Sequence, residues 1–291
     1  VFEAQGRDVV ELFNRLSSND LRPIAGGQAV STLFLSPEGR VLFRVLLLPG
    51  EPLRAVAEPP AREALPAWID TYTFGEDARL VLEPSLAAAI VLGPDALARA
   101  PHVLGGDGAV ASGDGVTWAR RDLGPLEAAI LTGSSHALDA ELSRLALPLL
   151  DDASWTQLRV ETAEPAAGRE LTQARFPLEA GLDREVSFTK GCYTGQEVVA
   201  RQDSRGKVLR RLVALSFDER PPDGEAIDGE GREGCAITTI APAPSRERDG
   251  SRVPVAALAY VSSRQAMPGT RVVTTSGLAA RVLELPLLPA E

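Results

Sequence analysis

Lys190-Gly191-Cys192-Tyr193-Thr194-Gly195-Gln196-Glu197-Val198-Val199-Ala200-Arg201 is the most informative stretch of the 291 residues. Two glycines bracket a thiol and an aromatic ring, an arrangement suited to a tight loop with close backbone approach. Lys190 stands two residues from Cys192 and would favour its thiolate if the side chains converge. From Lys190 to Arg211 six basic residues stand against Glu197 and Asp203, a net of +4. The chain as a whole carries −10, so the remainder carries −14. A basic strip on an acidic protein is a local anion site, sized for a polycarboxylate or a short phosphate path. A solvated, Arg-rich barrel strand over a buried structural Cys accounts for the same residues, and composition does not separate the two readings.

Outward from this stretch the texture changes on either side. After about residue 207, short β-type runs (212–217, 235–240, 255–261, 271–275, 278–285) are separated by Gly, Pro and acidic loops with no helix, which predicts a small β-barrel or sandwich. Before it, helical spacing at 8–16, 61–72, 135–146 and 152–162 alternates with β-rich runs at 29–35, 40–48, 79–82, 88–92, 109–112 and 116–121. Asp8 followed by Glu11 predicts a capping pair, and Ser36-Pro37-Glu38-Gly39 a hairpin turn. The mixture is α+β with antiparallel sheets, and the boundary falls near 206–211. Two domains also fit the length.

Several function classes drop out. No Gly-x-Gly-x-x-Gly or phosphate-loop pattern appears, which argues against nicotinamide or ATP chemistry. The acidic balance argues against a general nucleic-acid coat. The longest hydrophobic runs are far short of a membrane span. Only Cys192, Cys235, His102 and His136 represent their types, so a disulfide framework and a four-thiolate metal site within one chain are excluded, and no metal site is expected. Val1 is not Met and no basic-then-apolar leader follows. The expectation is a cytoplasmic chain without a signal peptide, trimmed before Val1.

Phe188-Thr189-Lys190-Gly191-Cys192-Tyr193-Thr194-Gly195-Gln196-Glu197, with the residues to Arg201, resembles the defining motif of the YgfZ-type folate-binding proteins. These are relatives of the glycine-cleavage T-protein (aminomethyltransferase) superfamily, and their mitochondrial counterparts are iron–sulfur assembly factors. Gly6-Arg7-Asp8, Asn19-Asp20 and the 36–40 turn resemble the start of the folate domain, and Ala257-Leu258-Ala259-Tyr260-Val261 a strand of the C-terminal barrel. The resemblance implies a folate-binding domain of ferredoxin-like halves over 1–206, followed by a small β-barrel over 207–291.

It also implies site residues. Glu161, closing Leu158-Arg159-Val160-Glu161, falls where superfamily members meet the pterin ring, and a carboxylate can accept the amino group and ring N–H that a pterin edge presents together. Trp155 resembles a folate-contacting Trp of the YgfZ group. Tyr193, Gly195, Gln196, Glu197 and Arg201 complete the implied cofactor contacts, with Cys192 as functional thiol beside Lys190. Aminomethyltransferases carry an acidic residue just after the Gly of the second hairpin strand. Gly39-Arg40-Val41-Leu42-Phe43-Arg44 holds none, and Phe43 or Arg44 cannot handle a developing cationic iminium.

The expectation is therefore a tetrahydrofolate-binding accessory protein supporting assembly or repair of iron–sulfur enzymes, tRNA-modifying ones among them. The alternatives are a folate-dependent aminomethyl or one-carbon transferase, and an RNA-binding module in which Arg201, Arg205, Lys207, Arg210 and Arg211 line the barrel and meet tRNA. No membrane partner is expected.

Overall fold

A computed structural model describes residues 1–124, 126–204, 206 and 208–287. The chain divides into two compact units, Val1–Pro148 with Asp183–Val198, and Leu149–Leu182 with Val199–Glu291. The second unit therefore takes in a segment well ahead of residue 207.

The first unit begins with β1 (Phe2–Gln5), α1 (Val9–Leu16), β2 (Val30–Leu35), β3 (Val41–Leu48), β4 (Leu53–Ala57), α2 (Ala64–Thr71) and β5 (Arg79–Leu82), whose strands form an antiparallel sheet in the order β2-β3-β4-β1-β5. Side chains alternate between faces along a strand. On β3, Val45 and Leu47 join Leu12, Phe13, Leu65 and Ile69 of the two helices in one core, while Leu46 and Leu48 enter a second core with Ala119 and Ile130. Burial on both faces explains why β3 reads as an almost unbroken hydrophobic run. Each fully buried Leu, Ile or Phe contributes about 1.5–3 kcal/mol.

The expected cap on α1 does not form. The Asp8 carboxylate accepts instead from the Asp77 backbone N–H (2.8 Å), tying the start of α1 to the entry of β5.

A second antiparallel sheet follows, from β6 (Leu86–Leu92), α3 (Pro94–Leu97), β7 (Val110–Gly113), β8 (Val116–Arg120), β9 (Ala128–Ser134) and α4 (Ser135–Leu145), in the order β6-β9-β8-β7. Ser134 caps α4 by accepting from the Ala137 N–H (3.2 Å). Leu138 and Leu145 pack α4 onto Trp118 and Leu131.

The second unit carries α5 (Asp152–Thr162), capped by the Asp151 carboxylate on the Ser154 N–H (2.7 Å). The chain re-enters this unit within α6 (Gln196–Ser204) and continues through β10 (Arg210–Phe217), β11 (Ala236–Ile240), the short pair β12 (Ser245–Arg246) and β13 (Arg252–Val253), β14 (Val255–Ser262), β15 (Arg271–Val273) and β16 (Ala279–Val282). Its antiparallel sheet has the order β11-β14-β10-β16-β15. Val213, Leu215, Phe217, Ile237, Ala259 and Val282 fill one face. Ala214, Ala256 and Leu258 fill the other, against Val160 of α5.

The whole is mixed helix and antiparallel sheet, the α+β class that the sequence implies. Among the described residues no helix is long and apolar enough to cross a membrane.

Candidate functional site

The 188–197 motif is held at two points of the first unit. The Lys190 side chain is buried, and its ammonium donates to the backbone carbonyls of Asn14 (2.6 Å), Ser17 (2.8 Å) and Asn19 (2.7 Å). The last carbonyls of a helix have no partner within it, and Lys190 takes those of Asn14 and Ser17 at the end of α1 together with that of Asn19 just beyond it. Burial pushes its pKa down to about 8, with Asp20 opposing.

The second hold is Gly195, at φ +80, where an added Cβ would lie 2.6 Å from the Ser36 carbonyl oxygen and 2.9 Å from the Gly39 Cα. Only glycine lets the motif meet the β2–β3 turn this closely. Gly191 has open space around it, so close approach belongs to one of the two motif glycines.

Between these holds lie an exposed Cys192 and a buried Tyr193. The Tyr193 ring sits 5.4 Å from the Lys190 ammonium, and burial pushes its hydroxyl up to about 12. All three N–H donors of Lys190 are taken by carbonyls, so it anchors the loop and has no N–H left to donate to the Cys192 sulfur. Gln196, half-buried, opens α6 with its N–H on the Tyr193 carbonyl (3.2 Å), and Glu197 and Arg201 are exposed along that helix. The tail of the motif is thus helical.

On β3, Phe43 and Arg44 face opposite sides. Phe43 packs edge-on against Trp68 (6.3 Å between ring centres), which also meets Phe34 and Tyr72. Arg44 forms a sheltered bidentate pair with Glu185 (2.6–3.0 Å), and Arg121 lies 3.7 Å from the same carboxylate. The Glu185 carboxylate brought to this part of β3 is therefore tied to guanidinium and is not a ready acceptor for transfer chemistry. Sequence reading missed Glu185, whose partner is more than a hundred residues away.

In the second unit, Trp155 and Glu161 are both half-buried on α5. Helical geometry separates them by about 120° around the axis, so they flank a surface and do not share one face. Gln157, one turn before Glu161, donates to the Glu161 Oε1 (2.8 Å). The helix is fixed by Arg159, whose guanidinium pairs with the fully buried Glu170 and donates to the Glu164 carbonyl (3.1 Å). Glu170 also accepts from Thr239 of β11 (2.6 Å) and, through its carbonyl, from the Tyr260 hydroxyl of β14 (3.0 Å). Arg159 is thus turned into the interior of the unit, whereas Glu161 is half-buried.

Cys235 contrasts with Cys192. It is buried in the core of the second unit, and burial pushes its thiol above the ordinary value, against the pull of Arg210 and Arg175. Of the basic strip, Arg210 is already paired with Glu179 (3.0 and 3.2 Å) and the Glu233 carbonyl (2.8 Å), which removes it from an RNA-facing role. Arg211 is exposed, and Arg205 and Lys207 lie outside the described residues. Among the described residues, no three His, Cys, Asp or Glu side chains gather as a metal site.

No protein-family model matches the chain. It is 26% identical over 234 residues to a mitochondrial iron–sulfur cluster assembly factor IBA57 homologue from Mycosarcoma maydis, covering 75% of this chain and 55% of that one. It is 38% identical over 101 residues to a tRNA-modifying protein YgfZ from Hamiltonella defensa, covering 33% and 30%. The glycine cleavage system aminomethyltransferase T from Bartonella henselae has the same fold, with a TM-score of 0.77 over 99% of this chain and 83% of that one, at 20% identity. The chain is similar to YgfZ and IBA57 proteins and shares the fold of an aminomethyltransferase. It matches only 55% and 30% of the lengths of these two curated relatives. The fold is shared with an aminomethyltransferase, whereas β3 here offers Phe43 and an ion-paired Arg44.

Proposed function

We propose that the chain is a tetrahydrofolate-binding accessory protein that supports assembly or repair of iron–sulfur enzymes, tRNA-modifying ones among them, with Cys192 as its functional thiol. The observation that carries this reading is the exposure of Cys192 on a loop held at Lys190 and at Gly195. A structural cysteine packs as a small hydrophobe, as Cys235 does. An exposed thiol on an anchored loop serves packing poorly and an outside partner well. The names of the relatives, an iron–sulfur assembly factor and a tRNA-modifying protein, point to the same class of partner.

Tetrahydrofolate fits the donors and acceptors of α5. Glu161 is half-buried, and its second oxygen has no hydrogen-bond partner among the described residues, leaving it open to the pterin amino group and ring N–H. Trp155 flanks that surface with an aromatic face. When bound, the folate supplies a carrier for one-carbon units. Tyr193, Gly195, Gln196, Glu197 and Arg201 remain proposed cofactor contacts.

In the same reading, 1–206 forms the folate-binding part and 207–291 a small β-barrel. Support for the barrel comes from 225–228, which hydrogen-bonds to Cys235 and Ile237 on one side and to Val273 and Thr275 on the other, spanning both edges of the sheet. Support for a ferredoxin-like first half comes from an antiparallel sheet with β1 paired on both sides and α1 and α2 on one face.

The test is Cys192→Ser. It is expected to leave folding and folate affinity nearly intact while abolishing support of iron–sulfur enzymes in cells. Full cellular activity in that variant would overturn the role of the thiol.

A further inference from the structure

We propose that Gln157 is the positioning residue that sets the Glu161 carboxylate for the pterin edge, an inference that rests on the folate reading above. The two residues are four apart on α5 and so share a face. The Gln157 amide nitrogen donates both to the Glu161 Oε1 (2.8 Å) and to the Ser245 hydroxyl (2.8 Å), while its oxygen accepts from the Ala243 backbone N–H (3.0 Å).

This set of partners fixes which way the amide points. A backbone N–H can only donate, so the oxygen must face Ala243 and the nitrogen must face Glu161. A flipped amide would set oxygen against carboxylate and N–H against N–H, losing both bonds. Ser245, at 4% exposed, belongs to the buried side of β12, so Gln157 is clasped between its helix and the strand that follows residue 243.

The consequence falls on Glu161. A glutamate has three side-chain torsions, and ordering such a side chain on binding weakens affinity by roughly two- to ten-fold. Gln157 removes that cost in advance by holding one lone pair of Oε1. One lone-pair site on Oε1 and both on Oε2 stay open, enough for two neighbouring donors. A solvated helix glutamine would not touch three partners on two elements.

The experiment is a calorimetric titration of the full chain with tetrahydrofolate in a double-mutant cycle. Gln157→Met keeps length and helix propensity and is expected to weaken affinity about three- to ten-fold when Glu161 is present. In the Glu161→Gln background the same change is expected to alter affinity less than about two-fold, because its effect runs through the carboxylate. Gln157→Glu preserves the acceptor for Ala243 but sets an oxygen against Glu161. It is expected to bind at least as weakly as Gln157→Met, and it covers the case in which the Met variant does not fold. Equal losses in both backgrounds, tracking a lowered melting temperature, would make Gln157 merely structural and overturn the proposal. So would parent-like affinity in Gln157→Met, or in Gln157→Glu. If Glu161→Gln alone leaves affinity unchanged, the pterin anchor itself is wrong and the positioning role falls with it.

Discussion

Lys190→Met removes three hydrogen bonds while keeping the length of the side chain. Hydrogen bonds from a charged donor contribute about 1.5–3 kcal/mol each, so the gross loss is roughly 5–9 kcal/mol. Two effects offset it. The ammonium no longer has to leave water, which costs several kcal/mol for a buried ion, and the Met side chain gains apolar burial. Asn14 and Asn19 are half-buried and water can reach their carbonyls, whereas Ser17 is fully buried and its carbonyl would be stranded, at about 1–3 kcal/mol. The net expectation is a loss of about 2–4 kcal/mol for the first unit. Urea unfolding read by tryptophan fluorescence measures it, since Trp68 and Trp118 both lie in that unit. In the same variant, alkylation of Cys192 near neutral pH should be no slower than in the parent. A stability change under about 0.5 kcal/mol, or a several-fold slower Cys192 reaction, would refute the anchoring role and restore that of thiol activator.

Under limiting alkylating agent, Cys192 should be labelled well before Cys235, by exposure and because burial pushes the Cys235 thiol up; mass-spectrometric mapping that finds Cys235 first would reverse the assignment of functional and structural thiol. Burial pulls the folded-state pKa of Lys190 down to about 8 from the ordinary 10.5. Between those values the unfolded chain binds the extra proton, so this group's contribution to stability rises with pH across the window; unfolding curves of the parent and of Lys190→Met at pH 7.5 and 10 should differ in slope in that sense. The purified chain should release no methylenetetrahydrofolate from an aminomethyl-carrier protein, because the β3 stretch lacks the acid and Glu185 is held by Arg44; robust turnover in that assay would contradict this.

Much of the fold is legible locally. The 3.6-residue spacing of Val9, Leu12, Phe13 and Leu16 and the short apolar runs of β10 and β14 each state their element without help from the rest of the chain. Other elements are not. β1 is four residues with a charge in the middle, and β4 mixes Arg54 with alanines, so neither shows a hydrophobic run; both are strands because neighbours pair with them. α6 carries the β-branched pair Val198-Val199 in its first turn, which disfavours helix, yet burial of Val199 overrides that propensity. α5 reads like any other helix, and its place in the second unit rests on Val160 meeting Ala214 and Leu258, contacts without a local signature.

The candidate site divides the same way. Cys192 and the motif glycines stand out by type and spacing, and Glu161 through the resemblance alone. The partners that give them meaning do not. Lys190 reaches carbonyls more than 170 residues away in sequence, Glu185 meets Arg44 across 141, and Gln157 meets Ala243 and Ser245 across 86 and 88. Proximity of charge in sequence suggested that Lys190 serves Cys192. Three carbonyls at and just beyond the end of α1 take the donors of that ammonium, because unpaired buried carbonyls are costly.

Binding of tetrahydrofolate to the full chain, measured by calorimetric titration for the parent and for Glu161→Gln, tests the central claim most directly. Losing a charge-assisted acceptor in a half-buried site costs about 1.5–3 kcal/mol, so the parent should bind and the variant should bind about ten-fold or more weakly with its fold intact. A parent that takes up no tetrahydrofolate, or a variant that binds it as tightly as the parent, would contradict the account.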